Sequence, residues 1–446
     1  MISGIPGRQT DRGSGEPDPA QSGRGLKAGR WAAHGVLITC SLLYLVNYMD
    51  RYVLAVVMQP MKVALGLTDA QAGSLQTGFF LGMMAFSLPV SYLVDRWSRR
   101  KAVAVMAIVW SAFTFITGLG RSYLGVLLPR LVVGVGEAAF AAGGTAWITG
   151  VYPPGSRGRV MGVFNMAVPL GGSLGLVLGG LISQRMGGWQ YPFFVFAIPG
   201  VLLGVLALFM RDYTTVRHLD DQGNEHGFAA SVAMLLKIPT LRWLYLGFGI
   251  RSLLAYALLS WLPAYFMRSH GIAEDKAGMA VGAIYFMPIF GAAIGGVLAD
   301  RWHKKNPKGR MLLLATGDLL ATACAIVALL LNVQGAGYVL MCAWGALALL
   351  GMPALSAVTQ DVAEPAIKTM AFGLAVFCSY LLGGAWGPVV AGAISDALGG
   401  GAEGLKNALI IVCLAGFVAA YVEWRGARTY PADAARVKDA ALRTKG

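Results

Sequence analysis

The chain has 446 residues, of which 56% are hydrophobic and only 13% charged, and its mean hydropathy is +0.61. A soluble domain carries about 25% charged residues, so a water-soluble globule is excluded. The net charge of +14 does not point to nucleic acid, because most Lys and Arg fall in short clusters between apolar runs, where they set membrane orientation.

Residues 1–30, rich in Gly, Pro, Ser, Arg and Asp, read as a disordered cytoplasmic tail without a cleavable signal peptide. The apolar runs that follow are long enough for helices to cross a bilayer. They lack the short alternating segments of an outer-membrane barrel. Twelve spans are predicted, near 34–62, 70–94, 102–120, 123–152, 157–185, 190–211, 239–267, 275–299, 310–332, 336–361, 368–397 and 405–425. The first six make an N-terminal bundle (31–211) and the last six a C-terminal bundle (239–425). A polar cytoplasmic linker (212–238) joins them, and 426–446 is a second cytoplasmic tail. The expected fold is therefore an all-α membrane protein of twelve transmembrane helices in two pseudo-symmetric six-helix bundles.

With the tails on one side, 27 of the 36 Lys and Arg lie on that side and 6 opposite, while Arg51, Arg130 and Arg251 lie within spans. This bias predicts both termini in the cytoplasm. The compact loops fit a plasma membrane, the inner membrane if the source is bacterial. The halves also repeat. Ser91–Trp97 (SYLVDRW) echoes Gly296–Trp302 (GVLADRW) at an offset of 205, and the Gly171–Gly175–Gly179 ladder, with Leu176 inside it, echoes Gly383–Gly387–Ala391, with Pro388 inside it, at an offset of 212. The ladder's spacing of four is a helix-packing signature. A duplicated six-span unit suits a central site exposed alternately to each side.

The stretch Leu43–Val57 (LLYLVNYMDRYVLAV) carries Asp50 and Arg51 inside the first span. A charge at mid-membrane costs about 2.5–3.5 kcal/mol on insertion scales, so these residues must face protein or a watery cavity. In span 4, Arg130 and Glu137 are seven residues apart, on one face but about 10 Å apart along the axis. Each is expected to meet a third group, and Asp50 is the candidate. A carboxyl between an arginine and an apolar wall can exchange its proton as a cavity opens and closes, so Asp50, Glu137 and Arg130 form the predicted proton-coupling set. Helix geometry turns Arg51 about 100° from Asp50. It is expected to point elsewhere, toward a structural partner or an anionic ligand. The matching spans of the second half carry no equivalent triad, so that half is expected to shape the substrate. Candidate cavity residues are Tyr44, Asn47, Tyr48, Arg51, Arg251, Tyr256, Trp261 and Tyr285. Arg251 either meets an anionic headgroup or snorkels to the membrane edge.

The five cysteines are scattered and read as packing residues, all five His lie in loops or at span edges, and no metal-ligand cluster is present. No GxxxxGK[ST] motif points to ATP, and no nucleophile elbow points to an enzyme.

The Asp95–Lys101 run (DRWSRRK), its partner Asp300–Trp302 (DRW), Leu127-xx-Arg130-xxx-Gly134 and the glycine-rich fifth span resemble the signatures of the major facilitator superfamily. Within it, Asn47–Arg51 (NYMDR), Leu131–Ala138 (LVVGVGEA) and Ala167–Gly175 (AVPLGGSLG) resemble the Spinster family of lipid transporters. That resemblance implies a secondary transporter working by rocker-switch alternating access, with the proton as coupling ion and no other cofactor. Its substrate would be a lysophospholipid or sphingolipid-like molecule. It also implies a coupling role for Asp50 and Glu137, a cytoplasmic gate at Asp95, Arg96, Arg99, Asp300 and Arg301, and a structural contact for Asp318 in the peripheral ninth span. Ser91 and Ser98 replace glycines of the first motif copy, and Leu176 stands where the fifth-span motif usually has Pro. The expected partners are the bilayer and a small-molecule substrate, with the protein a monomer. Alternatives are a proton-coupled transporter of a small organic anion and a non-transporting sensor or scaffold.

Overall fold

In lipid every backbone N–H and C=O must be paired within the chain, which makes a helix of each apolar run. The computed structural model describes residues 30–210, 228–364 and 367–443, and the regular elements among them are helices. The first bundle comprises α1 (Arg30–Leu65), α2 (Asp69–Arg96), α3 (Arg99–Gly118), α4 (Tyr123–Glu137), α5 (Phe140–Val151), α6 (Pro154–Met186) and α7 (Tyr191–Leu208). After α8 (Phe228–Lys237), the second comprises α9 (Pro239–His270), α10 (Glu274–Phe286), α11 (Pro288–Lys305), α12 (Gly309–Leu330), α13 (Ala336–Ala348) and α14 (Met352–Val362). It continues through α15 (Lys368–Ser379), a π-helical turn at Tyr380–Gly384, α16 (Gly387–Ala397), α17 (Gly401–Cys413) and α18 (Ala415–Gly426).

The pairs α4/α5, α10/α11, α13/α14, α15/α16 and α17/α18 are single crossings interrupted near mid-membrane. Eleven crossings are long and apolar enough to span a membrane among the described residues. The predicted second span is not one of these eleven. It is nonetheless the 28-residue helix α2, packed between α4 and α16.

The predicted linker lies outside the described residues up to 227, and its last part is α8. Residues 1–29 also lie outside them. The predicted C-terminal tail contains a helix, α19 (Tyr430–Arg443), favoured by its alanine-rich sequence. The Asp433 carboxylate accepts from Thr240 N at 3.0 Å and from Thr240 Oγ1 at 2.7 Å, so α19 caps the start of α9.

The bundles meet through glycines on the face opposite the starts of α1 and α9. A Cβ on Gly73 would lie 2.3 Å from Pro388 O, and one on Gly278 would lie 2.3 Å from Leu176 O. A Cβ on Gly392 would lie 2.3 Å from Asp69 O, and one on Gly180 would lie 2.4 Å from Glu274 O. These contacts are images of each other under the 205 and 212 offsets, so α2 packs on α16 as α10 packs on α6. Leu176 and Pro388 thus occupy equivalent places. Within the first bundle, Cβ atoms on Gly171 and Gly175 would lie 2.5 and 2.7 Å from the Leu45 and Met49 carbonyls, and one on Gly179 would lie 2.9 Å from Val53 Cγ2. In the second, Gly387 meets Leu253 O in the same manner.

A charged latch seals that same face. Arg268 donates from Nη2 to Asp69 Oδ1 at 2.6 Å and from Nη1 to Asp69 Oδ2 at 2.8 Å. Lys62 Nζ lies 2.5 Å from Asp69 Oδ1, and Ser395 Oγ donates to Oδ2 at 2.7 Å. The Asp396 carboxylate accepts from the N–H groups of Asp69 and Ala70 at 2.9 and 2.7 Å, capping α2 from the other bundle. Burial alone would raise the Asp69 carboxyl, but hydrogen bonds from Arg268, Lys62 and Ser395 outweigh it and hold the pKa at about 2. Toward the face carrying the starts of α1 and α9, the helices α5, α14 and α15 pack within their own bundles. The close glycine contacts between the bundles thus lie on the latched face.

Candidate functional site

Asp50 and Arg51 lie midway along α1, where α1 packs against α6 and α9 and the two bundles meet. Asp50 is fully buried, as is Arg130. Arg130 Nη1 donates to the backbone carbonyl of Asp50 at 3.3 Å, and its guanidinium lies 4.9 Å from the centre of the Phe79 ring. Thr114 Oγ1 lies 3.5 Å from Asp50 Oδ2, while Asp50 Oδ1 has no hydrogen-bond partner. Asp50 thus sits beside Arg130, but the bond joins the guanidinium to its backbone carbonyl and not to its carboxylate.

Glu137 is held differently from expectation. Arg51 donates to Glu137 Oε2 from Nη2 at 2.9 Å and from Nε at 3.2 Å, and both side chains are buried. The expectation that Arg51 points away from the carboxylates is therefore corrected. Helix angles fix where the Cα–Cβ bond points, but a guanidinium extends several ångströms beyond it. The guanidinium lies 4.5 Å from the centre of the Tyr48 ring and 5.4 Å from that of Phe79, with Met83 Sδ 3.6 Å from Nη2. Asn47 also lies against Glu137. Glu137 is the last residue of α4, where the fourth span breaks. The site therefore holds two carboxyls and two arginines, and neutrality is kept when all four are charged.

An aromatic wall joins this quartet to the second bundle. Tyr44 stacks on Phe164 at 4.5 Å and meets Tyr48 edge-on at 5.1 Å. Tyr52 meets Tyr285 of α10 at 4.7 Å, and Phe80 meets Tyr256 of α9 at 4.7 Å. Tyr256 Oη donates to Tyr380 Oη at 3.2 Å in the π-helical turn. Tyr48, Tyr52, Tyr256 and Tyr380 are partly exposed. Thr114, Tyr52 and Tyr380 are additions to the sequence reading. The repeated tyrosines at 44, 48 and 52 were a visible stripe, whereas Tyr380 had no signal beyond its residue type.

Two cavity candidates are engaged elsewhere. Trp261 is fully buried, donates from Nε1 to Pro388 O at 2.8 Å and supports Arg268 of the latch. Arg251 donates from Nη1 to Ala348 O at 2.6 Å, and its Nε lies 3.6 Å from Asp318 Oδ2. Asp318 thus meets Arg251 inside the second bundle. Glu423 of α18 stands beside it. This cluster is not the equivalent of the first-half triad, since Asp318 and Glu423 come from the ninth and twelfth spans and only Arg251 lies on a span matching the first or fourth. Glu423 was missed because it lies near the end of its apolar run, next to Trp424 and Arg425.

Of the gate residues, Asp300 pairs with Arg310 at 3.2 Å within its own bundle, and Arg310 also reaches Asp361 at 2.5 Å. Arg99 donates to Ala146 O at 2.6 Å, tying α3 to α5, and Arg301 is exposed. The side chains of Asp95 and Arg96 lie outside the described residues. No group of His, Cys, Asp and Glu suited to a metal occurs among the described residues, and the five cysteines are free.

Residues 40–388 match the family model described as Major Facilitator Superfamily, and the chain belongs to that superfamily. It is a multi-pass membrane transporter and not an enzyme. It is 28% identical over 405 residues to the sphingosine-1-phosphate transporter SPNS2 of Xenopus tropicalis, covering 87% of this chain and 77% of the relative. It is 26% identical over 418 residues to an MFS-type efflux pump of Mycolicibacterium smegmatis, covering 90% and 94%. Its fold is similar to that of a bacterial homolog of the human lysosomal transporter Spinster, solved in an inward-facing, unoccupied conformation. That match has a TM-score of 0.82 at 24% identity and covers 90% of this chain and 98% of the other.

Proposed function

We propose that the protein is a proton-coupled secondary transporter of an amphipathic, lipid-like molecule of the lysophospholipid or sphingolipid kind, working by rocking of its two bundles. The observation that carries this reading is the buried Arg51–Glu137 pair, set beside Asp50 and Arg130, with Asp50 and Arg51 on the helix of the first bundle that packs against α9 of the second. A proton taken up by Glu137 leaves Arg51 without its counter-charge. The guanidinium then has reason to leave Glu137 for an anionic headgroup, for which its planar fork is suited. The tyrosine wall offers an apolar flank for the rest of an amphipathic molecule. The relative that carries sphingosine-1-phosphate supports this substrate class. The face with the excess of Lys and Arg is cytoplasmic in this reading, and one copy encloses the whole site.

A small organic anion is the second reading, favoured by two arginines in one neutral site and by the efflux-pump relative. Proteoliposomes under an imposed pH gradient separate the two. Gradient-driven movement of a labelled lysophospholipid supports the first reading. Movement of a short-chain organic anion alone replaces it with the second. Movement of neither, at either gradient polarity, contradicts both.

A further inference from the structure

The second bundle contains a buried charge cluster that the transport reading does not use. Arg251 lies on α9, Asp318 on α12 and Glu423 on α18, and α18 packs against both other helices. Asp318 is 5% exposed and Glu423 0%. Asp318 and Glu423 act on each other across the α12–α18 interface. Neither oxygen of Glu423 has a donor, and Asp318 Oδ2 also lacks one. Glu423 fills the space left by the missing side chain of Gly247 on α9, where a Cβ would lie 2.5 Å from its Cγ.

Charge counting decides the matter. The charged groups acting on either carboxyl are Arg251 and the other carboxyl. Of the other charged side chains on the surrounding helices, Arg310 of α12 and Asp361 of α14 pair with each other, and Glu403 and Lys406 of α17 pair with each other. One arginine can balance only one of two buried carboxylates, and an isolated buried charge is costly. Two carboxylates cannot hydrogen-bond each other, because both only accept. One proton between them removes the excess charge and supplies the missing donor.

We propose that Asp318 and Glu423 form a second proton-binding site, holding one shared proton with Arg251 as the counter-charge to the pair. A cavity of about 20 Å³ beside it, lined by Arg251, Asp318, Thr322 and Trp344 among others, has room for one water that can pass the proton on. Arg251 also links the site to a moving part. Its bond to Ala348 O ends on the last residue of α13, where the tenth span breaks before α14. The first bundle is built alike, with Arg51 of its first span bound at the break of its fourth. Loss of the shared proton strengthens the pull of the carboxylates on Arg251 and competes with that bond to the break.

The test uses the full-length protein in nanodiscs and requires neither substrate nor transport, so it stands apart from the proposed transport function. Infrared spectra at neutral pH are taken for the wild type, Asp318→Asn, Glu423→Gln and the double variant. A shared proton predicts that each single variant loses the same protonated-carboxyl band, because the carboxylate left behind ionises and pairs with Arg251. Both single variants should melt near the wild type, and the double variant, with Arg251 unbalanced, well below it. The proposal is overturned if the band survives in either single variant. It is equally overturned if both single variants melt as low as the double, since each ionised carboxylate would then be needed.

Discussion

Arg51 illustrates how a side chain's reach can override its helix angle. Asp50 and Arg51 leave α1 in different directions, yet the guanidinium bends over Tyr48 to bind Glu137 on α4. Removing one partner of a buried pair leaves the other charge stranded, at a cost of about 3–5 kcal/mol. Glu137→Ala should therefore lower the melting temperature substantially and abolish flux. Glu137→Gln keeps most of the shape but cannot exchange a proton, so gradient-driven flux should fall at least ~10-fold while the protein stays folded. Arg51→Lys keeps the charge and loses the two-pronged contact. Its flux should fall more than its stability, as read by parallel transport and thermal-shift measurements. Equal losses in both would assign Arg51 a purely structural part.

Between elements, glycine carbonyl contacts decide how closely the bundles can shut. The four closest approaches across the bundles sit on the latched face and form two symmetric pairs. Gly180→Ala and Gly392→Ala each place a methyl against a backbone carbonyl of the other bundle, and neither carbonyl can move aside cheaply. Both should shift the protein toward opening on the latched face, read as a longer distance between spin labels placed there. An unchanged distance distribution would show that the interface tolerates the methyl. The Asp69 latch acts at the same place. Pairing lowers the Asp69 pKa from 3.8 to about 2. The latch is therefore at full strength above pH about 4 and is lost as the pH falls through about 2. Asp69→Asn should open the latched face at neutral pH, whereas pH changes between 5 and 8 should leave the wild-type latch untouched. A label distance that changes across that range in step with Asp69 titration would contradict this.

Across the whole molecule, the two-bundle plan was legible because lipid allows few solutions to an apolar run and because the repeat left matching strings in both halves. The N-half charges were legible because each is expensive at mid-membrane. Their pairing was not, since Arg51 could be matched to Glu137 only once α1 and α4 were packed together. The latch was hidden for a related reason. Lys62, Asp69, Arg268 and Asp396 lie in short loops or at helix ends, where charges are ordinary, and only the fold brings them together. The helical C-terminus was missed because polarity suggested a free tail, although its alanines favour a helix that Asp433 docks onto α9. What unifies these parts is a molecule shut on one face by symmetric glycines and a latch that does not titrate at ordinary pH, with a neutral set of four charges buried in its first bundle. In this account the proton that drives transport is exchanged at those buried carboxyls. The most direct measurement is uptake of a labelled lysophospholipid into proteoliposomes as the pH gradient is imposed, abolished and reversed, for the wild type, Asp50→Asn and Glu137→Gln. Proton coupling through these carboxyls predicts wild-type flux that follows the size and sign of the gradient, and variants that are folded but indifferent to it. Flux that ignores the gradient in the wild type, or follows it undiminished in both variants, would contradict that mechanism.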